Sequence, residues 1–123
     1  MKRIIFALAA ALYLLPAPAQ QVPEWLKDGI LYHIYPSSFK DSDGDGIGDL
    51  EGIRSKLPYI KSLGVNAIWL SPVFQSEFED GGYDITDFYR IDPRFGTNTQ
   101  LAQLVRDAHD AGIRVCLDLV AGH

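Results

Sequence analysis

Two stretches of this chain follow one pattern, and that pattern limits the fold. Ser62-Leu63-Gly64-Val65-Asn66-Ala67-Ile68 and Asp110-Ala111-Gly112-Ile113-Arg114-Val115-Cys116 each run from a helix end, through a glycine stop and an apolar residue, into a strand. The strands, residues 67–71 (AIWLS) and 114–120 (RVCLDLV), carry apolar side chains on both faces. Strands of that kind need cover on both sides, as in a parallel sheet wrapped by helices. An earlier run, residues 30–36 (ILYHIYP), has the β-branched and aromatic content of another strand.

Between the strands the period becomes helical. Leu50, Ile53, Leu57, Ile60 and Leu63 share one helical spacing, with Asp49 as N-cap. Pro58 falls inside this run and predicts a helix that is bent or in two pieces, because proline takes a donor out of the ladder. Gly64 supplies the stop. Thr97-x-x-Gln100 is a capping-box pattern that opens a second helix, with Leu101, Leu104, Val105 and Ala108 on one face and Gly112 at its end. The order is strand–helix–strand–helix–strand, an α/β chain. A doubly wound open sheet and a (β/α)8 barrel both satisfy it.

In either architecture, ligands gather at the carboxyl ends of the strands. The unusual residues of this chain are there. An acidic loop follows the first strand, a segment rich in aromatics and acids (73–96) follows the second, and His123 follows the third. No glycine-rich phosphate loop follows the first strand, which counts against a nucleotide-binding sheet.

The acidic loop, Asp41-Ser42-Asp43-Gly44-Asp45-Gly46-Ile47-Gly48-Asp49, sets carboxylates close together among residues that allow tight turns. Such carboxylates repel, and a hard cation such as Ca²⁺ would gather them through oxygen alone. The spacing follows positions 1, 3, 5, 7 and 9 of an EF-hand loop with Gly46 at position 6, but Gly52 stands at position 12, where an EF-hand has glutamate. The alternative is a solvated acidic turn.

The N-terminus reads as an export signal. Lys2 and Arg3 precede an apolar run over 4–15, and Ala17-Pro18-Ala19 has the form of a cleavage site. The apolar run is shorter than the ~20 residues of a membrane span. The expected domains are a signal peptide, 1–19, and one domain or part of one, 20–123, exported to periplasm or extracellular space without a lasting membrane anchor. An uncleaved N-terminal anchor is the alternative. Loss of Lys2 and Arg3 takes Lys+Arg from 11 to 9 against 16 Asp+Glu, a net of −7. No basic patch exists, so nucleic-acid binding is disfavoured. Cys116 is the one cysteine, so no disulfide forms within the chain, and a buried inert thiol is expected.

Five segments in order then carry a resemblance: Tyr32-His33-Ile34-Tyr35-Pro36, the 41–49 loop, Gly64-Val65-Asn66-Ala67-Ile68-Trp69-Leu70-Ser71-Pro72, Gly82-Tyr83-Asp84-Ile85 and Asp118-Leu119-Val120-Ala121-Gly122-His123. Over residues 25–123 the chain resembles glycoside hydrolase family 13, the α-amylase family, and most of all its oligo-1,6-glucosidase, α-glucosidase and trehalose synthase members. The resemblance implies the first three or so βα units of a (β/α)8 barrel, a fold that needs ~250 residues. It implies an α-glucan or oligosaccharide substrate, and retaining hydrolysis or transfer at α-glucosidic bonds in the full-length enzyme.

The resemblance also distributes roles. Asp41, Asp43, Asp45, Asp49 and the Ile47 carbonyl would hold one structural Ca²⁺. Tyr83 would stack on the sugar at the cleavage subsite, Asp80 would bind terminal hydroxyls, and His123 would bind hydroxyls beside the reacting centre. Asp118 matches the motif acid of the third strand. Gly81 and Gly122 stand where asparagine is common in the family, and the second change argues against a different, conserved calcium site. The family's nucleophile, acid/base and second Asp follow strands four, five and seven. On that basis no residue of this chain is catalytic, and the chain alone should be inactive. The non-enzymatic alternative is a truncated product acting as a Ca²⁺- or sugar-binding module.

Overall fold

Among the described residues, five strands form two sheets: β1 (Leu31–Ile34), β2 (Ala67–Leu70), β3 (Phe74–Ser76), β4 (Ile85–Ile91) and β5 (Arg114–Leu117). The computed structural model describes residues 21–122, so the expected signal peptide, 1–19, and His123 lie outside the described residues. β1, β2 and β5 are parallel in the order β1-β2-β5, with Ile34, Leu70 and Leu117 in register across the sheet. The helices of the described residues are α1 (Glu24–Lys27), α2 (Pro36–Phe39), α3 (Leu50–Ser55), α4 (Leu57–Ser62) and α5 (Asn98–Asp110).

The helical spacing becomes a core. Leu50, Ile53, Ile60, Leu104 and Ala108 are fully buried, against Ile34, Ile68 and Leu70 of the sheet. Asp49 caps α3 by accepting the Gly52 N–H. The helix breaks at Lys56, which ends α3 and starts α4, with Pro58 within the first turn of α4 where its missing N–H is harmless. Thr97 and Gln100 form the reciprocal capping box of α5. Gly64 (φ 77°) and Gly112 (φ 76°) end the two crossovers in the left-handed conformation glycine takes without penalty.

Several expectations change. Leu63 is 43% exposed although it shares the apolar period: Leu57 and Ile60 beyond the break stay buried, but the helix ends at Ser62 and Leu63 is its C-cap. The third strand ends at Leu117, not at residue 120, because its partner β2 ends at Leu70 before Ser71-Pro72. Asp118 N still donates to Leu70 O at 3.2 Å, and Leu119 beyond it is exposed. Cys116 is half-buried, not buried, because β5 pairs with only one strand among the described residues. Segment 73–96 contains an antiparallel hairpin, β3–β4, with register shifts on either side of Gln75.

The buried α3–α5 seam predicts unequal costs of truncation. Leu104→Ala should destabilise the protein by about 2–5 kcal/mol, and Tyr89→Ala, at the exposed hairpin, by no more than about 0.5 kcal/mol. Urea-unfolding midpoints of both variants check this, and equal shifts would contradict the core assignment.

Candidate functional site

One face of the parallel sheet packs on the helices, and the other carries polar and aromatic chemistry. His33, Trp69 and Cys116 are register partners and so share that second face. His33 and Trp69 stack with ring centroids 4.1 Å apart, and His33 Nε2 lies 2.8 Å from Ser71 Oγ. Sequence reasoning missed this pair. Each residue alone is unremarked in a strand, and only the register brings them together.

At the carboxyl end of this face, Tyr83 crosses from the loop after β3 to the end of β5. Its phenol donates to Asp118 Oδ2 at 3.2 Å. Asp118 directly follows Leu117, the last residue of β5. Two of the sequence-predicted groups are thereby joined: the tyrosine expected to meet sugar and the motif acid of the third strand.

Asp84 shapes the turn beneath Tyr83. Its carboxylate accepts the Glu79 N–H at 3.0 Å and the Asp80 N–H at 3.3 Å, and Tyr83 N donates to Asp80 O at 3.0 Å. Burial disfavours the Asp84 charge, but the backbone N–H groups of Glu79, Asp84, Asp80 and Gly82 outweigh it and hold its pKa below the usual carboxylate value. Asp80 itself is exposed on that turn.

The acidic loop is organised from within. Asp41 accepts the N–H groups of Asp43, Gly44 and Gly46 at 3.1, 2.7 and 2.8 Å. The Gly46 and Gly44 donors lead in lowering the Asp41 pKa. Asp49 accepts Ser42 N and Oγ on one oxygen and Gly52 N on the other. Backbone donors therefore share with any cation the task of offsetting the loop's charge. Oxygens of Asp41, Asp43 and Asp49 lie within 4.8 Å of one another. Two oxygens at ~2.4 Å from one Ca²⁺ can be at most ~4.8 Å apart, so the oxygen-only set fits a hard cation. Asp45 stands outside that trio, with its Oδ1 taking the Ile47 N–H at 2.7 Å. Gly52 admits no side chain, because a Cβ there would meet Lys40 O at 1.9 Å. The absence of an EF-hand glutamate at this position is thus enforced by packing.

A cleft of about 590 Å³ lies between the acidic loop and residues 90–100, lined by Asp43, Asp45, Asp49, Arg90, Arg94 and Thr97 among others. Asp80, Tyr83 and Asp118 do not line it. The strands that bound their face of the sheet, β1 and β5, each pair on one side only among the described residues.

Residues 33–123 match the family model for the alpha amylase catalytic domain. An oligo-1,6-glucosidase of Heyndrickxia coagulans is 52% identical over 100 residues, covering 81% of this chain and 18% of the relative. Maltase A2 of Drosophila melanogaster is also 52% identical over 100 residues, with 81% of this chain and 18% of the relative covered. Trehalose-6-phosphate hydrolase of Bacillus licheniformis superposes with a TM-score of 0.80 at 48% identity, over 83% of this chain and 18% of that one. Isomaltulose synthase from Protaminobacter rubrum does so with a TM-score of 0.80 at 42% identity, over 84% and 18%. The chain spans less than a fifth of the length of these relatives.

The Asp84 turn predicts a pH dependence. Folding lowers the pKa of Asp84 from its ordinary 3.8, so its contribution to stability is present above that value and is lost as pH falls through the lower folded value. On acidification from about pH 5 to about pH 3, the melting temperature of the parent protein should fall more steeply than that of Asp84→Asn. Parallel curves would remove Asp84 as the anchor of the turn.

Proposed function

This chain belongs to the alpha-amylase family, and we propose that the whole protein acts on α-glucosidic bonds of an oligosaccharide or α-glucan by retaining hydrolysis or glycosyl transfer. The three parallel strands are the N-terminal part of that family's (β/α)8 barrel. The observation that carries the functional reading is the convergence of Tyr83 with Asp118 at the carboxyl ends of the strands, where barrel active sites form.

The part played by these residues is binding. Sugars present apolar C–H faces, and the Tyr83 ring offers a matching flat surface while its hydroxyl is tied to Asp118. Asp80, on the turn organised by Asp84, supplies a carboxylate for sugar hydroxyls through charge-assisted bonds. His123, which follows β5, is assigned to hydroxyls of the same sugar. Retaining chemistry needs a pair of carboxylates ~5 Å apart across the scissile bond, and no residue of this chain is assigned to that pair. Glucosidase, hydrolase and synthase relatives together support keeping hydrolysis and transfer side by side.

The acidic loop is assigned one structural Ca²⁺, held by Asp41, Asp43 and Asp49, with Asp45 and the Ile47 carbonyl completing the set proposed from sequence. A bound ion would neutralise like charges beside the start of α3, because Asp49 is both a member of the trio and the N-cap of that helix. The segment 1–19 supports export to periplasm or extracellular space. Among the described residues, no helix is long and apolar enough to cross a membrane.

Two outcomes test these assignments in the whole protein. Tyr83→Ala should lower kcat/KM on an α-glucoside by about tenfold or more, the loss of one aromatic sugar contact and the order it imposes. Unchanged kinetics would remove Tyr83 from the site. Excess Ca²⁺ should raise the melting temperature over that in chelator, and Asp41→Asn should diminish the difference. Identical melting in both conditions would exclude the metal.

A further inference from the structure

Phe78 is the only non-glycine among the described residues with a positive φ, 61°. A bulky side chain in that conformation is strained and persists only where its surroundings over-determine it. The surroundings are specific. The Arg94 guanidinium carbon lies 4.0 Å from the centroid of the Phe78 ring, and the Phe95 ring meets it edge-on at 6.1 Å. Arg94 is fixed in turn by Asp92, which is 3% exposed and accepts Arg94 Nε at 2.8 Å and Arg94 N at 3.0 Å. The other Asp92 oxygen accepts Ser76 N at 3.1 Å, and Ser76 Oγ accepts Phe78 N at 3.2 Å. Both the ring and the backbone of Phe78 are thus tied to one buried carboxylate.

The ring also reaches the functional turn. A Cβ on Gly82 would lie 3.4 Å from Phe78 Cε2 and 3.2 Å from Pro72 O, so Phe78 and Pro72 form the floor beneath the residue preceding Tyr83. We infer that Phe78, clamped by Arg94 and Asp92, is a positioning residue that sets the height and tilt of the 79–83 turn and through it the presentation of Tyr83 to the sugar. The Phe78 side chain contacts no substrate in this account. It acts as a wedge between the buried Asp92 hub and the turn. This inference rests on the assignment of Tyr83 to sugar stacking.

A double-mutant cycle in the whole enzyme tests it. Phe78→Ala should lower kcat/KM on an α-glucoside by about 10- to 100-fold, the scale of a misplacement of about 1 Å. In a Tyr83→Ala background the same substitution should change kcat/KM less than about twofold, because its effect passes through Tyr83. Phe78→Tyr, which keeps the ring, should restore parental kinetics, whereas Phe78→Gly, which relieves the backbone strain without a ring, should not. Arg94→Lys keeps a cation for Asp92 but loses the flat guanidinium, so it should repeat the Phe78→Ala defect in weaker form even where Phe78→Ala does not fold. Additive losses in the cycle, or full activity in Phe78→Gly, would overturn the inference. If Tyr83→Ala alone is silent, the sugar-stacking assignment fails instead. The positioning claim is then decided by a crystal structure of Phe78→Ala: a displaced 79–83 turn supports it, and an unmoved one refutes it.

Discussion

Pairing of β2 on both sides is the constraint on which the rest of this structure depends. Its Ile68 and Leu70 are fully buried under the helices, while Trp69 points to the opposite face. Because both neighbours run parallel to it, neither can be joined to it by a tight turn, and the chain must cross over through helices. Those crossovers begin at the carboxyl ends of the strands. The acidic loop and the Tyr83 turn are both parts of such connections, and both are therefore delivered to the functional rim.

From that frame the two chemical features acquire different jobs. The acidic loop is tied to its own backbone and to the N-terminus of α3 through Asp49, so it acts on the rigidity of the first crossover. The Tyr83 turn is tied to β5 through Asp118 and to the hairpin through Asp84, Phe78 and Asp92. One feature secures a wall and the other presents a side chain. Their separation explains why the cleft beside the acidic loop is not lined by the tyrosine.

The sequence is legible where one residue determines the backbone. Thr97 with Gln100, Asp49 as a cap, the interruption near Pro58 and the stops at Gly64 and Gly112 all act over a few residues and appear as expected. The family resemblance carried the architecture further, to the barrel. What was missed depends on pairing between distant segments. The β3–β4 hairpin has a short, shifted register and a mostly exposed second strand, so no clean alternation announces it. The His33–Trp69 stack needs the register of β1 on β2. The clamp on Phe78 joins residues across the hairpin, and nothing in the local sequence marks a phenylalanine for a left-handed backbone. Leu63 differs for the converse reason: its spacing is right, but the helix ends at Ser62 and leaves Leu63 as an exposed C-cap while Leu57 and Ile60 stay buried.

The central claim is that the rim at the carboxyl ends of β1, β2 and β5 is one wall of a sugar-binding site with Tyr83 as its platform. A crystal structure of the whole protein with an α-glucoside bound tests this most directly. The account predicts a glucose ring lying flat on Tyr83, with the Tyr83–Asp118 hydrogen bond kept and the Asp80 carboxylate within hydrogen-bonding distance of a sugar hydroxyl. A sugar bound in the barrel without contact to Tyr83, or a Tyr83 ring sealed away from the ligand by other strands, would contradict it.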